Sequence, residues 1–266
     1  MSYVVGVRVL VTSLILLVAD AFASVRAHAQ AQVDLELVLA VDASGSMSGE
    51  EQKFQRAGYV AAIAHPDVIR AIRSGPNRRI ALAYIEWAGS GRQAITMPWQ
   101  IISDAASAQA FAEQLKKKDA VHMRLTSISS MLAFSSKYFM QNNVRSPRKV
   151  IDVSGDGPNN DGVNIVGARD DVLAQGIVIN GLPIMLDPTI EPGLDVYYKH
   201  CVIGGPGAFV LPVLRKVDWT SAIRNKMILE IAGRPARLMK AQWRPLEPKP
   251  AEADCLIGEK LRKRWG

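Results

Sequence analysis

The run Leu35-Glu36-Leu37-Val38-Leu39-Ala40-Val41-Asp42-Ala43-Ser44-Gly45-Ser46 decides how the rest of the chain is read. Its first seven residues are a short apolar run and predict a buried strand that ends at Asp42. Asp42 to Gly49 is rich in Ser and Gly and predicts a loop. Glu50 to Ala64 then places Phe54, Ala57, Val60, Ala61 and Ala64 on one helical face, with Pro66 just past the end. Strand, loop and helix in that order are the opening unit of a parallel α/β sheet.

Outward from this unit the same alternation continues. Arg79–Trp87 and Arg92–Ile101 read as two strands separated by Ala88-Gly89-Ser90-Gly91, a tight turn that makes them antiparallel neighbours. Ser103 reads as the N-cap of a helix reaching Lys118, and Ser127–Met140 as another helix. Pro147–Ser154 is a strand entering a second loop of turn-formers, Gly155-Asp156-Gly157-Pro158-Asn159-Asn160-Asp161-Gly162. Asn164–Gln175 (helix), Gly176–Met185 (strand), Leu194–Ile203 (short helix), Gly207–Val213 (strand) and Trp219–Ala232 (helix) follow. The expectation is an α/β, doubly wound, mostly parallel central sheet with one antiparallel edge strand and helices on both faces. The domain is expected over residues 33–240, with residues 241–266 a Pro-rich, charged C-terminal tail.

Residues 1–29 read as a secretory signal peptide. Arg8 precedes an apolar run, Val9 to Ala19, and Ala27-His28-Ala29 forms a small-x-small cleavage pattern. The run is short for a membrane span, which needs about 20 residues, and no later stretch is longer. The expected location is therefore periplasmic or secreted, with no transmembrane span after cleavage. In an oxidising compartment the two cysteines, Cys201 and Cys255, are expected to pair and staple the tail to the body. The chain has 266 residues, 48% hydrophobic and 21% charged, which excludes disordered and collagen-like classes. Its net charge of +7 suits an anionic partner, but no focused patch points to nucleic acid.

Two loops leave the carboxyl ends of buried strands, and each carries an aspartate, Asp42 and Asp156. In a strand order of 3-2-1-4-5-6 the order reverses between the two strands that end there, and ligands of open sheets sit at that crevice. Asp42, Ser44 and Ser46 alternate along the first loop, so their side chains can point one way. Thr126, at the start of a helix, can reach the same place, since Ser127 is an equally good cap. Two carboxylates and three hydroxyls, with no His or Cys, are hard oxygen donors that suit Mg²⁺, with Mn²⁺ or Ca²⁺ as substitutes. The set is too small to enclose the ion, so an open position faces solvent, where a partner's carboxylate fits.

Asp42-x-Ser44-x-Ser46, followed by Thr126 and then Asp156-Gly157, resembles the metal-ion-dependent adhesion site of von Willebrand factor A domains. The resemblance covers about Val33 to Ala232. The runs Val153–Asn160 and Gly204–Val210 further resemble a secreted bacterial branch of that family with no assigned function. It implies that Ser44, Ser46 and Thr126 ligate a metal, with Asp42 and Asp156 holding it directly or through water. One position departs from the pattern: Arg124-Leu125 precedes Thr126, where glycine is common before the threonine. That stiffens the loop and brings the charge of Arg124 beside the site.

The function expected from this resemblance is an exported, non-enzymatic binding module that captures an acidic group of a protein partner through the metal. The alternatives are a structural envelope protein with a stabilising or vestigial site, and a metal-dependent hydrolase. The sequence has no G-x-S-x-G elbow or Walker A loop, and His65, His122 and His200 are scattered singly. Asp161 reads as a turn residue, Asp152 as structural, and the Tyr197-Tyr198 pair as packing. Lys116–Lys118 and Lys260–Arg264 read as solvated helix-end and tail charge.

Overall fold

The structure is a computed structural model that describes residues 30–45, 47, 49–119, 123–186, 193–233 and 253–265. The chain divides into two compact units, Met1–Ala31 and Gln32–Gly266, and the fold below is that of the second. The signal-peptide reading of residues 1–29 lies outside the described residues.

Five strands make the central sheet: β1 (Glu36–Asp42), β2 (Ile80–Trp87), β3 (Gln93–Ile102), β4 (Lys149–Gly155) and β5 (Ile177–Pro183), in the order β3-β2-β1-β4-β5. β1 pairs in parallel with β2 and β4, β4 in parallel with β5, and only β3 runs antiparallel. This is the doubly wound, mostly parallel sheet with one antiparallel edge that the alternating pattern predicts. β1 is buried along its whole length because helices cover both faces of the sheet. Its alternate residues sort accordingly. Leu37, Leu39 and Val41 join one core with helices α1 (Gly49–Ile63), α2 (Pro66–Arg73), α3 (Ala105–Lys116) and α7 (Trp219–Ala232). Val38 and Ala40 join the other with α4 (Ile128–Tyr138), α5 (Ile165–Leu173) and the short α6 (Leu194–Tyr197).

Three details differ from the sequence reading. Pro66 does not merely close α1; it opens α2, capped by His65, whose ring accepts from the Asp67 amide, because proline suits the first helical turn. The cap of α3 is Asp104 rather than Ser103. Its carboxylate takes the Ser107 amide at 2.8 Å, and Ser107 returns the bond in a capping box. Gly207–Val213 is not a continuous strand. It touches the outer edge of β5 through two parallel bridges, Gly181 to Val210 and Ile184 to Val213, since Pro206, Pro212 and two glycines interrupt the ladder.

The antiparallel edge is irregular as well. The β2–β3 register shifts on either side of Tyr84, opposite the segment holding Pro98. Near the C-terminus, within the stretch expected to be a tail, Ile257–Trp265 forms a further helix, α8. Cys201 and Cys255 are joined in a disulfide with their Cα atoms 5.5 Å apart. Ala253, Cys255 and Ile257 pack against the second core. Residues 234–240 of the expected domain and 241–252 of the expected tail lie outside the described residues. Among the described residues no helix is long and apolar enough to cross a membrane.

Candidate metal centre

The order β3-β2-β1-β4-β5 reverses between β1 and β4, whose register sets Val41 beside Ser154. Asp42 ends β1 and Asp156 follows the end of β4, so the two aspartates meet at the crevice where open α/β sheets bind ligands. Asp42 is buried, and its Oδ1 accepts the Ser44 amide at 2.7 Å. That bond curls the loop back on itself and sets Ser44, also buried, beside the carboxylate. The other oxygen, Asp42 Oδ2, is buried without a hydrogen-bond partner. Burial first, and then the negative charge of Asp156, push the Asp42 carboxyl up to about 8, with hydrogen bonds from Ser44 and from the Asp156 amide opposing in part.

The loop before α4 is tied to both aspartate loops. The Met123 amide donates to Ala43 O at 3.1 Å. The Thr126 amide donates to Asn160 Oδ1 at 2.9 Å, while its carbonyl accepts the amides of Asn160 (2.8 Å) and Asp161 (3.1 Å). Ser127 caps α4 through the Ser130 amide, so the buried Thr126 is not consumed as the cap. The hairpin turn joins in: Ser127 N donates to Ala88 O at 2.8 Å, and Gly89 N to Arg124 O at 3.1 Å. Asp42, Ser44, Thr126 and Asp156 thus come from three loops stitched into one surface. Ser46 lies outside the described residues, as does His122.

Leu125, at the position before Thr126 where the resemblance predicts glycine, adopts φ +69° and is 41% exposed. The backbone keeps the left-handed turn a glycine would make freely, at a steric cost to leucine. Gly155 is needed for a different reason, close approach. A Cβ there would lie 2.8 Å from both Asp42 Oδ2 and the Tyr198 hydroxyl.

Sequence reasoning missed the residues that hold these loops in place. Asn159 is buried; its Oδ1 accepts the Ser129 amide at 3.0 Å and its amide donates to the Tyr197 hydroxyl at 3.1 Å. Its side-chain amide also reaches Glu259 of α8 at 2.8 Å. Arg262 of α8 donates to Asn160 O and Asp161 Oδ1, at 3.1 and 2.6 Å. Gly258 sits so close to the Asn159 carbonyl that a Cβ would not fit. Asp161, read as a turn residue, links the hairpin to α8, taking the Ser90 amide at 2.8 Å. These bonds hold its carboxyl below the usual range, the Ser90 amide contributing most. Asp152 lies in the core as read, paired with the buried Lys226. The Asn159-Asn160 pair beside Asp156 was the one sequence signal, since short amides in such a loop cross-brace its neighbours.

The donor set fits a hard divalent cation. An unpartnered buried carboxylate oxygen beside a second carboxylate is a repulsive arrangement that a cation relieves. Among the described residues no cluster of three or more His, Cys, Asp and Glu is placed to hold a metal. A soft-metal site is therefore absent from them, and the centre here depends on hydroxyls to supplement two carboxylates.

This fold, with its aspartates at the β1/β4 crossing, is that of von Willebrand A domains. A chain from the pilus adhesin SpaC of Lactobacillus rhamnosus GG superposes with a TM-score of 0.55 at 13% identity, over 75% of this chain and 30% of that one. A von Willebrand factor type A structure from Catenulispora acidiphila gives 0.51 at 14% identity, over 75% and 43%. Proximal thread matrix protein 1 from the mussel byssus, with a zinc-occupied MIDAS motif, gives 0.52 at 12%, over 76% and 49%. The chain thus spans about half or less of those structures. No curated protein matches it in sequence. A family model described as "Protein of unknown function (DUF1194)" matches residues 32–235, and the chain belongs to that family.

Proposed function

We propose that this chain is an exported binding module, not an enzyme, that holds a divalent cation and uses it to capture a carboxylate on a protein partner. Asp42, Ser44, Ser46, Thr126 and Asp156 are the residues that would hold the ion, with Mg²⁺ the first candidate. The cation would supply a Lewis-acidic point for an anionic group of the partner. The chain's own part is to orient its oxygens and to leave one side of the ion open. The observation that carries this reading is the buried, unpartnered Asp42 Oδ2 beside Asp156. The adhesin and matrix proteins of the same fold support it by analogy, and the zinc in one of them makes Zn²⁺ a metal to test.

The test is calorimetric titration of the chelator-stripped chain with Mg²⁺, Mn²⁺ and Zn²⁺, beside Asp42→Ala. Saturable one-to-one binding that Asp42→Ala abolishes is the expected result. No uptake by the wild-type chain, or equal uptake by the variant, would overturn the reading.

A further inference from the structure

Beneath the candidate centre lies a buried hydroxyl that the packing alone does not account for. The chain leaves α6 through a π turn, Tyr198–Val202, which also carries Cys201. Single π turns occur often at functional sites. The Tyr198 side chain is fully buried in the second core, and its hydroxyl has no hydrogen-bond partner. A buried hydroxyl left unpaired has lost its water without gaining a partner, so its surroundings matter.

The Tyr198 hydroxyl and Asp42 Oδ2 are each 2.8 Å from the point where a Cβ on Gly155 would sit. The gap that Gly155 leaves is therefore walled by two unpartnered oxygens, one phenolic and one carboxylate. A phenol hydroxyl carries one O–H that can donate into this gap. Tyr84 also has a buried, unpartnered hydroxyl, but its ring belongs to the first core, across the sheet.

We infer that Tyr198 is a positioning residue of the metal centre, its hydroxyl donating into the Gly155 gap toward Asp42 Oδ2 through one water. This would fix the carboxylate's orientation from below while the loops fix it from above. Outer hydrogen-bond partners of this kind orient the ligands of metal sites and are worth about 10–100-fold in affinity. The inference rests on the metal-binding reading above.

Mn²⁺ titration of the full chain, chelator-stripped, compares wild type, Asp42→Ala, Tyr198→Phe and Tyr84→Phe. Tyr198→Phe is expected to bind Mn²⁺ about tenfold more weakly, and Tyr84→Phe as wild type does. A second readout separates positioning from packing. Metal-free Tyr198→Phe should melt no lower than wild type, because the ring is kept, while the rise in Tm on adding Mn²⁺ should shrink. Wild-type affinity in Tyr198→Phe, with binding lost in Asp42→Ala, would overturn the role of Tyr198 and leave the metal site standing. An affinity loss matched by an equal loss in Tyr84→Phe would also overturn it. No Mn²⁺ uptake by the wild-type chain would overturn both readings.

Discussion

At the scale of single residues, the loop before α4 gives up stability at Leu125. A leucine held at φ +69° costs about 1 kcal/mol relative to glycine's freedom there, and its half-open side chain recovers little by burial. Leu125→Gly is expected to raise unfolding free energy by about 0.5–1 kcal/mol, the gain reduced by glycine's larger unfolded entropy. Urea denaturation measures it, and a drop in stability would show that the leucine side chain matters more than its backbone. That Asp42 and Asp156 meet at the crevice was legible from sequence, because one ends and the other directly follows a buried apolar strand. The conformation of Leu125 was legible only as a missing glycine. The part played by Tyr198 was not legible, since a buried tyrosine next to another reads as packing and nothing local reveals where its hydroxyl ends.

At the scale of elements, α7 is fixed to the sheet by charge as well as by apolar contact. Lys226 and Glu230, one turn apart and wholly buried, face Asp152 of β4. Lys226 lies 2.5 Å from Glu230 and is also paired with Asp152; Asn180 of β5 donates to Glu230 at 3.2 Å. One cation between two carboxylates leaves an excess of negative charge. Burial first, and then the charge of Asp152, push the Glu230 carboxyl from 4.5 up to about 8. The folded chain thus keeps a proton that the unfolded chain has lost. The stabilisation is complete below the unfolded value and disappears as pH rises through about 8. Its steepest slope is about 1.4 kcal/mol per pH unit. Glu230→Gln, which mimics the neutral acid, is expected to flatten the fall in stability between about pH 5 and pH 8, as read from urea unfolding at fixed metal concentration. An unchanged slope would assign the effect elsewhere. The ends of α7 were legible in the sequence but this cluster was not, because Asp152 sits 74 positions from Lys226 in a strand that otherwise reads as apolar. The short α2 was hidden for a simpler reason: Pro66 marks a helix start and a helix stop equally well.

At the scale of the whole unit, the C-terminal helix is part of the architecture of the loop surface. The Cys201–Cys255 bridge spans 54 positions and seats α8 against Asn159, Asn160 and Asp161. Cys255→Ser is expected to cost about 2–4 kcal/mol, lowering Tm by roughly 5–10 °C. Wild-type chain should show no titratable thiol even in denaturant until a reductant is added, and a melting temperature indifferent to reductant would contradict the linkage. The pairing could be anticipated from an even cysteine count in a chain whose N-terminus reads as a secretory signal. That α8 rests on the loop of Asp156 could not, because its contacts are made by a glycine, a glutamate and an arginine that read as solvated tail. The sheet's margins carry a last consequence. On one side β3 is broken by a register shift and by Pro98, which offers no amide hydrogen; on the other, β5 is overlaid at Gly181 and Ile184 by Val210 and Val213. Neither margin presents an uninterrupted row of donors and acceptors, so the sheet is poorly suited to recruit a neighbour's strand or to polymerise edge to edge. On the binding function proposed above, recognition would fall to the rim above the strand ends, where a partner would meet side chains rather than backbone.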